Sequence, residues 1–281
     1  MDKSIEQLAR DLARANYSER TQEEYVRTAQ DLAKWCGGKP LVEVTRDELR
    51  GFVEMVVERG KSPSRMSAWL CAVLFLFRRT LGRPELVSFI KLPRRHSPLP
   101  EVLSLTEVKA LLSRITHRRY QSIAMVMYGA GLRISEAIAL EVRDIDGNRG
   151  VLRVRHGKGD KAREAKLSPT LYEWLRQYWA KERPPLPYLF ASPKTGKLPA
   201  VGTVRKALAL AAKEAWIKKR VTPHVLRHSF ATHLLDEGTD VHVVGALLGH
   251  ASIQTTARYA RVTQKRVRET PSPLDLLPQR R

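Results

Sequence analysis

Residues 93–100 read Pro-Arg-Arg-His-Ser-Pro-Leu-Pro. Three prolines fix backbone dihedrals and remove amide donors, and no apolar period runs through the segment, so neither a helix nor a strand can cross it. A chain interrupted in this way folds as two bodies. It has 281 residues, and since domains cluster near about 100–150 residues, each side is long enough for its own core. The boundaries expected are a helical domain over 1–92, a linker over 93–101 and a second domain over 102–281.

The first part reads as four helices, at residues 5–15, 19–35, 46–59 and 63–81. Ser4 with Gln7 and Thr45 with Glu48 have capping-box spacing, and Ser62-Pro63 offers an N-cap followed by proline in the first turn. Met66, Trp69, Leu70, Val73, Leu74 and Phe77 recur at steps of three and four, which predicts one buried stripe. Gly37-Gly38, Gly60 and Gly82 close successive helices. In the second part, Ser104 with Glu107 caps a new helix. Residues 151–156 and 163–167 alternate around Gly157-Lys158-Gly159-Asp160-Lys161, a β-hairpin pattern. Ser168-Pro169 opens a helix that stops at Pro184-Pro185. Further helices are expected over 203–217, from Thr222-Pro223 and from Ser252. The fold class is mainly α, with a small β-hairpin or sheet in the second domain.

Fifty Lys and Arg stand against twenty-nine Asp and Glu, a net charge of +21. An excess of this size marks a polyanionic partner, either nucleic acid or an anionic membrane. Residues 1–95 carry eighteen cationic side chains against thirteen acidic ones, and the remainder thirty-two against sixteen, so most of the excess lies in the second domain. The longest apolar run, 68–77, covers ten residues, short of the roughly 20 that a spanning helix needs. The start of the chain lacks the basic-then-apolar layout of a secretory signal. Cys36 and Cys71 have no metal-type spacing and are expected to be reduced core thiols. A cytoplasmic protein with no membrane partner is the expectation.

Candidate chemistry lies in the second domain. Arg133 follows Gly129-Ala130-Gly131, where one helix ends and another begins, and Glu136 lies three residues on, placed to orient a neighbouring guanidinium or imidazole. His224 and Arg227 are three apart on one helix. The ordinary account of such pairs is a solvated face, but Leu226, Phe230 and Leu234 form an apolar stripe that leaves His224, Arg227 and His228 grouped beside it. His228 and His233 are assigned to packing or helix-end hydrogen bonds. His250 follows Leu247-Leu248-Gly249, and Tyr259 lies nine residues later. Two guanidiniums, two imidazoles and a phenol suit attack on a phosphodiester without a metal: arginine forks hold the non-bridging oxygens, and nearby cations favour phenolate. The five histidines between 224 and 250 lack His-Glu-x-x-His spacing and carboxylate ligands, which argues against zinc. Lys158, on the glycine-flanked turn, is a candidate proton donor to the leaving oxygen, with Lys161 its competitor.

These residues resemble the tyrosine recombinase family of phage integrases, chromosome-dimer resolvases and integron integrases. Residues 129–140 (Gly-Ala-Gly-Leu-Arg-Ile-Ser-Glu-Ala-Ile-Ala-Leu) are similar to its first-arginine box, 222–235 to its His-x-x-Arg box and 247–259 to its second-histidine and tyrosine box. The likeness extends more loosely to the N-terminal helices, which resemble the family's four-helix, SAM-like core-site-binding domain. The resemblance implies a two-domain, C-shaped DNA clamp hinged at the proline segment. Tyr259 would attack the scissile phosphate to leave a 3′-phosphotyrosyl bond, Arg133, Arg227 and His250 would hold the non-bridging oxygens, His224 would assist proton transfer, Lys158 would be general acid and Glu136 would support the site. Arg65, Arg94, Arg95, Lys161 and Arg258 are further candidate DNA contacts. Neither cofactor nor metal is implied. Implied partners are a double-stranded recombination site, other copies of the chain (a dimer on a site, a tetramer in synapsis) and a partner recombinase or accessory protein. The chain departs from parts of the family in having no extra N-terminal arm-binding domain and in a short tail broken by Pro271, Pro273 and Pro278. Two rivals stay open at this stage: a strand-relaxing topoisomerase of the same chemistry, and a DNA-binding protein whose active site is idle.

Overall fold

The first helix starts at Lys3 rather than at residue 5, because Asp2 and not Ser4 is its N-cap. One Asp2 carboxylate oxygen accepts from the Ser4 amide at 2.8 Å, and the other accepts from the Leu41 amide at 2.7 Å. The computed structural model describes residues 2–59, 62–93, 101–155 and 162–249. Gly60, linker residues 94–100, the hairpin turn and the helix expected from Ser252 lie outside the described residues. The chain divides into two units, Met1–Ser97 and Pro98–Arg281.

Unit one holds α1 (Lys3–Arg14), α2 (Glu19–Trp35), α3 (Arg46–Glu58) and α4 (Pro63–Phe75). The reciprocal Thr45–Glu48 box is present at the start of α3. The helix expected to run to residue 81 leaves α geometry after Phe75 for a π turn, Leu76–Thr80. That wider turn carries two buried residues, Leu76 and Phe77, into the core of this unit. Leu8, Leu12, Leu32, Phe52, Val73 and Phe77 form the centre of this unit's core.

Unit two begins with α5 (Leu105–Arg114), α6 (Arg118–Gly129) and the short α7 (Ile134–Ile138). An antiparallel sheet follows, in the order β1 (Ile145–Asp146), β2 (Val151–Val154), β3 (Arg163–Lys166). The two expected hairpin strands pair antiparallel, with Leu152 opposite Ala165, and β1, a two-residue strand too short to show a period, joins them. Then come α8 (Pro169–Glu182), α9 (Val201–Glu214), α10 (Pro223–Asp236) and α11 (Val241–Leu248). Helix α9 ends at Glu214 instead of residue 217, because Trp216 adopts φ 56 and cannot continue a right-handed helix. Over the described residues the chain is mainly helical with one small sheet.

Two sets of contacts seat α10, the helix that matters most for the site. Phe230, Ala231 and Leu235 pack with Val244 and Leu248 of α11. Buried Ser229 accepts from the Leu103 amide at 2.9 Å, and His233 bridges the Leu103 carbonyl and the Tyr128 hydroxyl, each at 2.9 Å. Among the described residues no helix is long and apolar enough to cross a membrane.

Candidate active site at the buried arginine cluster

Gly131 sets the geometry. Its φ of 64 turns the chain from α6 into α7, and a Cβ there would lie 2.5 Å from the Phe230 ring. Only glycine lets this turn approach α10 so closely. The Gly131 carbonyl consequently meets Arg227, whose Nη1 donates to it at 2.6 Å. Arg227 Nη2 donates to the Leu248 carbonyl at the end of α11. Arg227 is 4% exposed. It therefore sits within a helix buried nearly all round, not on a half-solvated flank beside an apolar stripe.

Two residues past Gly131, Arg133 is the N-cap of α7, and Glu136 is that helix's third residue. The Glu136 carboxylate accepts from the Arg133 amide at 2.9 Å and from Arg133 Nη1 at 2.7 Å. It also receives both arms of a third guanidinium: Arg163 Nη1 at 3.0 Å and Nη2 at 2.7 Å. Arg227 Nη1 lies 3.7 Å away. One buried carboxylate thus gathers three arginines. Burial alone would raise its pKa, but the hydrogen bonds from Arg163 and Arg133 outweigh this and hold it at about 2.

Arg163 is the residue that sequence reasoning missed. It opens β3, and Arg163 Nε donates to the Leu247 carbonyl at 3.3 Å. A Cβ at Gly249, where φ is 63, would come within 2.6 Å of the Arg163 side chain. Two arginines, Arg163 and Arg227, therefore cover the last carbonyls of α11, where the helix carries its partial negative charge. The signal for Arg163 was present: Arg163, Ala165 and Leu167 alternate onto one face of the strand, and Ala165 and Leu167 are buried. At the other stem of the hairpin, Arg155 pairs with buried Asp144 at 2.6 Å and with Glu141 at 3.0 Å.

His224 lies one turn before Arg227 on α10, capped by Thr222. More than a third of the residue is open to solvent, yet its protonated form is disfavoured. The protein packed around the ring is the largest cause, followed by the charges of Arg227, Arg205 and Arg133. Of the sequence candidates, Arg133, Glu136 and Arg227 come together, with His224 in their field. Arg65 is exposed in the first turn of α4, in the other unit. Lys158, Lys161, His250, Tyr259, Arg258, Arg94 and Arg95 lie outside the described residues. Among the described residues no group of three or more His, Cys, Asp or Glu side chains is placed to hold a metal ion. What the cluster can do is bind an anion: three fixed cations face one carboxylate.

The model of the phage integrase family matches residues 101–266, and that of the phage integrase N-terminal SAM-like domain matches residues 5–85. The y4qK protein of Sinorhizobium fredii, named as a candidate integrase/recombinase, is 38% identical over 275 residues, covering 97% of this chain and 89% of its own. Tyrosine recombinase XerA of Pyrococcus furiosus is 35% identical over 236 residues, covering 83% of this chain and 81% of its own. A structure of the Tn1549 transposon integrase with circular intermediate DNA superposes with a TM-score of 0.78 over 99% of this chain and 100% of that one; at 18% identity this likeness concerns the fold. With both units matched in order and curated relatives aligned over most of its length, the chain belongs to the phage integrase family of DNA strand-transferring enzymes.

Proposed function

We propose that this chain is a site-specific DNA recombinase that cuts and rejoins strands through a 3′-phosphotyrosyl intermediate, without metal or nucleotide cofactor. The observation that carries the reading is the gathering of Arg133, Arg163 and Arg227 around Glu136, which leaves a local excess of positive charge at a fixed place. Attack on a phosphodiester builds negative charge on its non-bridging oxygens, and preorganised guanidiniums stabilise that charge. In this scheme Arg133, Arg227 and His250 hold those oxygens. The Tyr259 oxygen attacks phosphorus as its proton leaves, with neutral His224 assisting, and the bond to the 5′ oxygen breaks as Lys158 supplies a proton. The 5′ hydroxyl reverses the step on rejoining, so the bond energy is kept in the phosphotyrosine. Glu136 and Arg163 act as positioning residues.

The N-terminal helical domain, residues 1–92, is proposed to grip the core site, with Arg65, Arg94, Arg95, Lys161 and Arg258 contacting DNA. The net charge of +21 supports a DNA partner, and two related recombinases were solved on DNA: XerH on its difH substrate and a λ integrase dimer on a core site. We infer for this chain a dimer on each site and a tetramer in synapsis, working in the cytoplasm. Suicide duplexes from the native flanking DNA, nicked near the cleavage position, should trap a covalent complex that Tyr259→Phe abolishes. Failure to trap any complex on DNA that the protein binds would overturn the reading. Relaxation of any supercoiled plasmid by the protein, with no site needed, would make it a topoisomerase instead.

A further inference from the structure

Trp216 is the most exposed large apolar residue among those described, with 91% of its surface open. It also stands where a tryptophan is least expected. Helix α9 ends in a Schellman motif: the Trp216 amide donates to the Lys213 carbonyl at 3.1 Å and the Ile217 amide to the Ala212 carbonyl at 3.0 Å. Trp216 occupies the left-handed position of that motif, where a Cβ crowds the following carbonyl and glycine or asparagine is the usual residue. The same pair of bonds closes α1, α2 and α10, and there the chain places Asn16, Gly37 and Gly238, at φ 55, 73 and 93. At α9 alone of these four ends the residue is bulky. A strained backbone carrying a ring that buries almost nothing does not serve the fold, and such outliers persist where something else uses them.

The ring is nonetheless presented from a fixed frame. Ile217, the next residue, packs on the core of unit two. Lys219 Nζ donates to the Val102 carbonyl at 2.8 Å and to Glu107 at 2.7 Å, and the Arg220 amide donates to Glu101 at 3.1 Å. Lys213, Lys218 and Arg220 are exposed cations in this segment, against two exposed acids, Glu214 and the Glu101 that holds the Arg220 amide. Two residues after Arg220, Thr222 caps the helix that carries His224.

We propose that Trp216, with Lys213, Lys218 and Arg220, is a contact for duplex DNA on the approach to the His224 helix, the cations meeting phosphates and the indole packing on a sugar or wedging at a base step. The inference rests on the recombinase reading above. A ring among cations matches a polyanion with apolar faces; a second protein chain would call for apolar neighbours, and the loop supplies charges.

Trp216→Gly tests it cleanly, because glycine suits the backbone. The variant's thermal midpoint should equal or exceed the parent's, while its Kd for a random-sequence duplex at low salt should rise about fivefold or more, the scale of one aromatic–base contact. The difference in tryptophan emission between parent and variant isolates Trp216, and the duplex should shield that emission from acrylamide. If the parent binds the duplex but the variant binds it equally well and Trp216 is unshielded, this inference falls and the recombinase reading stands. A parent that binds no duplex at all sinks both. A lowered midpoint for the variant would assign Trp216 a structural role instead. Shielding that appears without DNA as protein concentration rises would assign the face to a second copy of the chain; either result overturns the proposal.

Discussion

Replacing Glu136 with glutamine removes one charge from the arginine cluster while keeping its volume and an acceptor oxygen. Burial opposes ionisation of this carboxyl, and the hydrogen bonds from Arg163 and Arg133 hold it at about 2 against an ordinary 4.5. At about 1.4 kcal/mol per pH unit, that interval sets a ceiling of ~3 kcal/mol on the ionised group's contribution to stability. Arg133 is 24% exposed, so part of its share is screened by water. About 2 kcal/mol is the expected loss in Glu136→Gln at neutral pH. The sign follows from the direction of the shift. A carboxyl whose folded pKa is depressed stabilises fully above 4.5 and loses that contribution as pH falls toward 2. With these two values roughly three-fifths of the contribution is gone by about pH 3. The gap between parent and variant should therefore shrink from about 2 kcal/mol at pH 7 to about 1 kcal/mol or less at pH 3. Urea denaturation of both proteins across this range, followed by tryptophan emission, measures the gap directly. A gap that stays constant with pH, or is missing at pH 7, would refute the claim that an ionised carboxylate holds the guanidiniums together.

Three further outcomes are expected. Gly131→Ala puts a Cβ 2.5 Å from Phe230 at a φ of 64, so a loss of about 2–3 kcal/mol, read as a lowered thermal midpoint, is expected; an unchanged midpoint would show that the turn relaxes freely. Arg163→Lys keeps the charge but loses the paired contact with Glu136, and should slow single-turnover cleavage about tenfold or more with DNA affinity nearly unchanged. Equal loss of binding and cleavage would remove its positioning role. Because burial and then Arg227, Arg205 and Arg133 disfavour protonated His224, the acidic limb of the cleavage rate should lie below pH 6.5, and Arg205→Ala should move it upward; a limb above 6.5 contradicts the assignment.

The elements whose signals are local were legible in the sequence. Thr45 with Glu48, Ser104 with Glu107, Ser168-Pro169 and Thr222-Pro223 each declare a helix start within four residues, and each is an N-cap in the structure. The misreadings occur where a distant partner decides. Ser4 loses the first cap to Asp2, whose second oxygen serves Leu41, thirty-nine residues away. Arg163 shows its burial through strand alternation, but no spacing rule links it to Glu136, twenty-seven residues upstream. Arg227 was legible as a candidate and misplaced in environment, because the apolar stripe of α10 accounts for one side only. Contacts of Ser229 with Leu103 and of Phe230 with Gly131 bury the others.

A buried cluster of like charges is an unusual thing for a fold to keep. Arg133, Arg163 and Arg227 carry three positive charges, and the carboxylate they share carries one negative. The end of α11 supplies about half a charge more through its last carbonyls. Counted over the described residues the cluster therefore remains positive by about one and a half charges, and the burial of Arg163, Arg227 and Glu136 limits screening by solvent. Replacing one arginine with an apolar residue would ease that repulsion, so stability alone does not explain the arrangement. An anion does. A phosphodiester brings one negative charge and gains a second along the path to a pentacoordinate state, which the excess matches. On this view Glu136 holds the guanidiniums in place before substrate arrives without neutralising them. Little reorganisation would then be left for the moment of reaction, the condition under which fixed charges are most effective in catalysis.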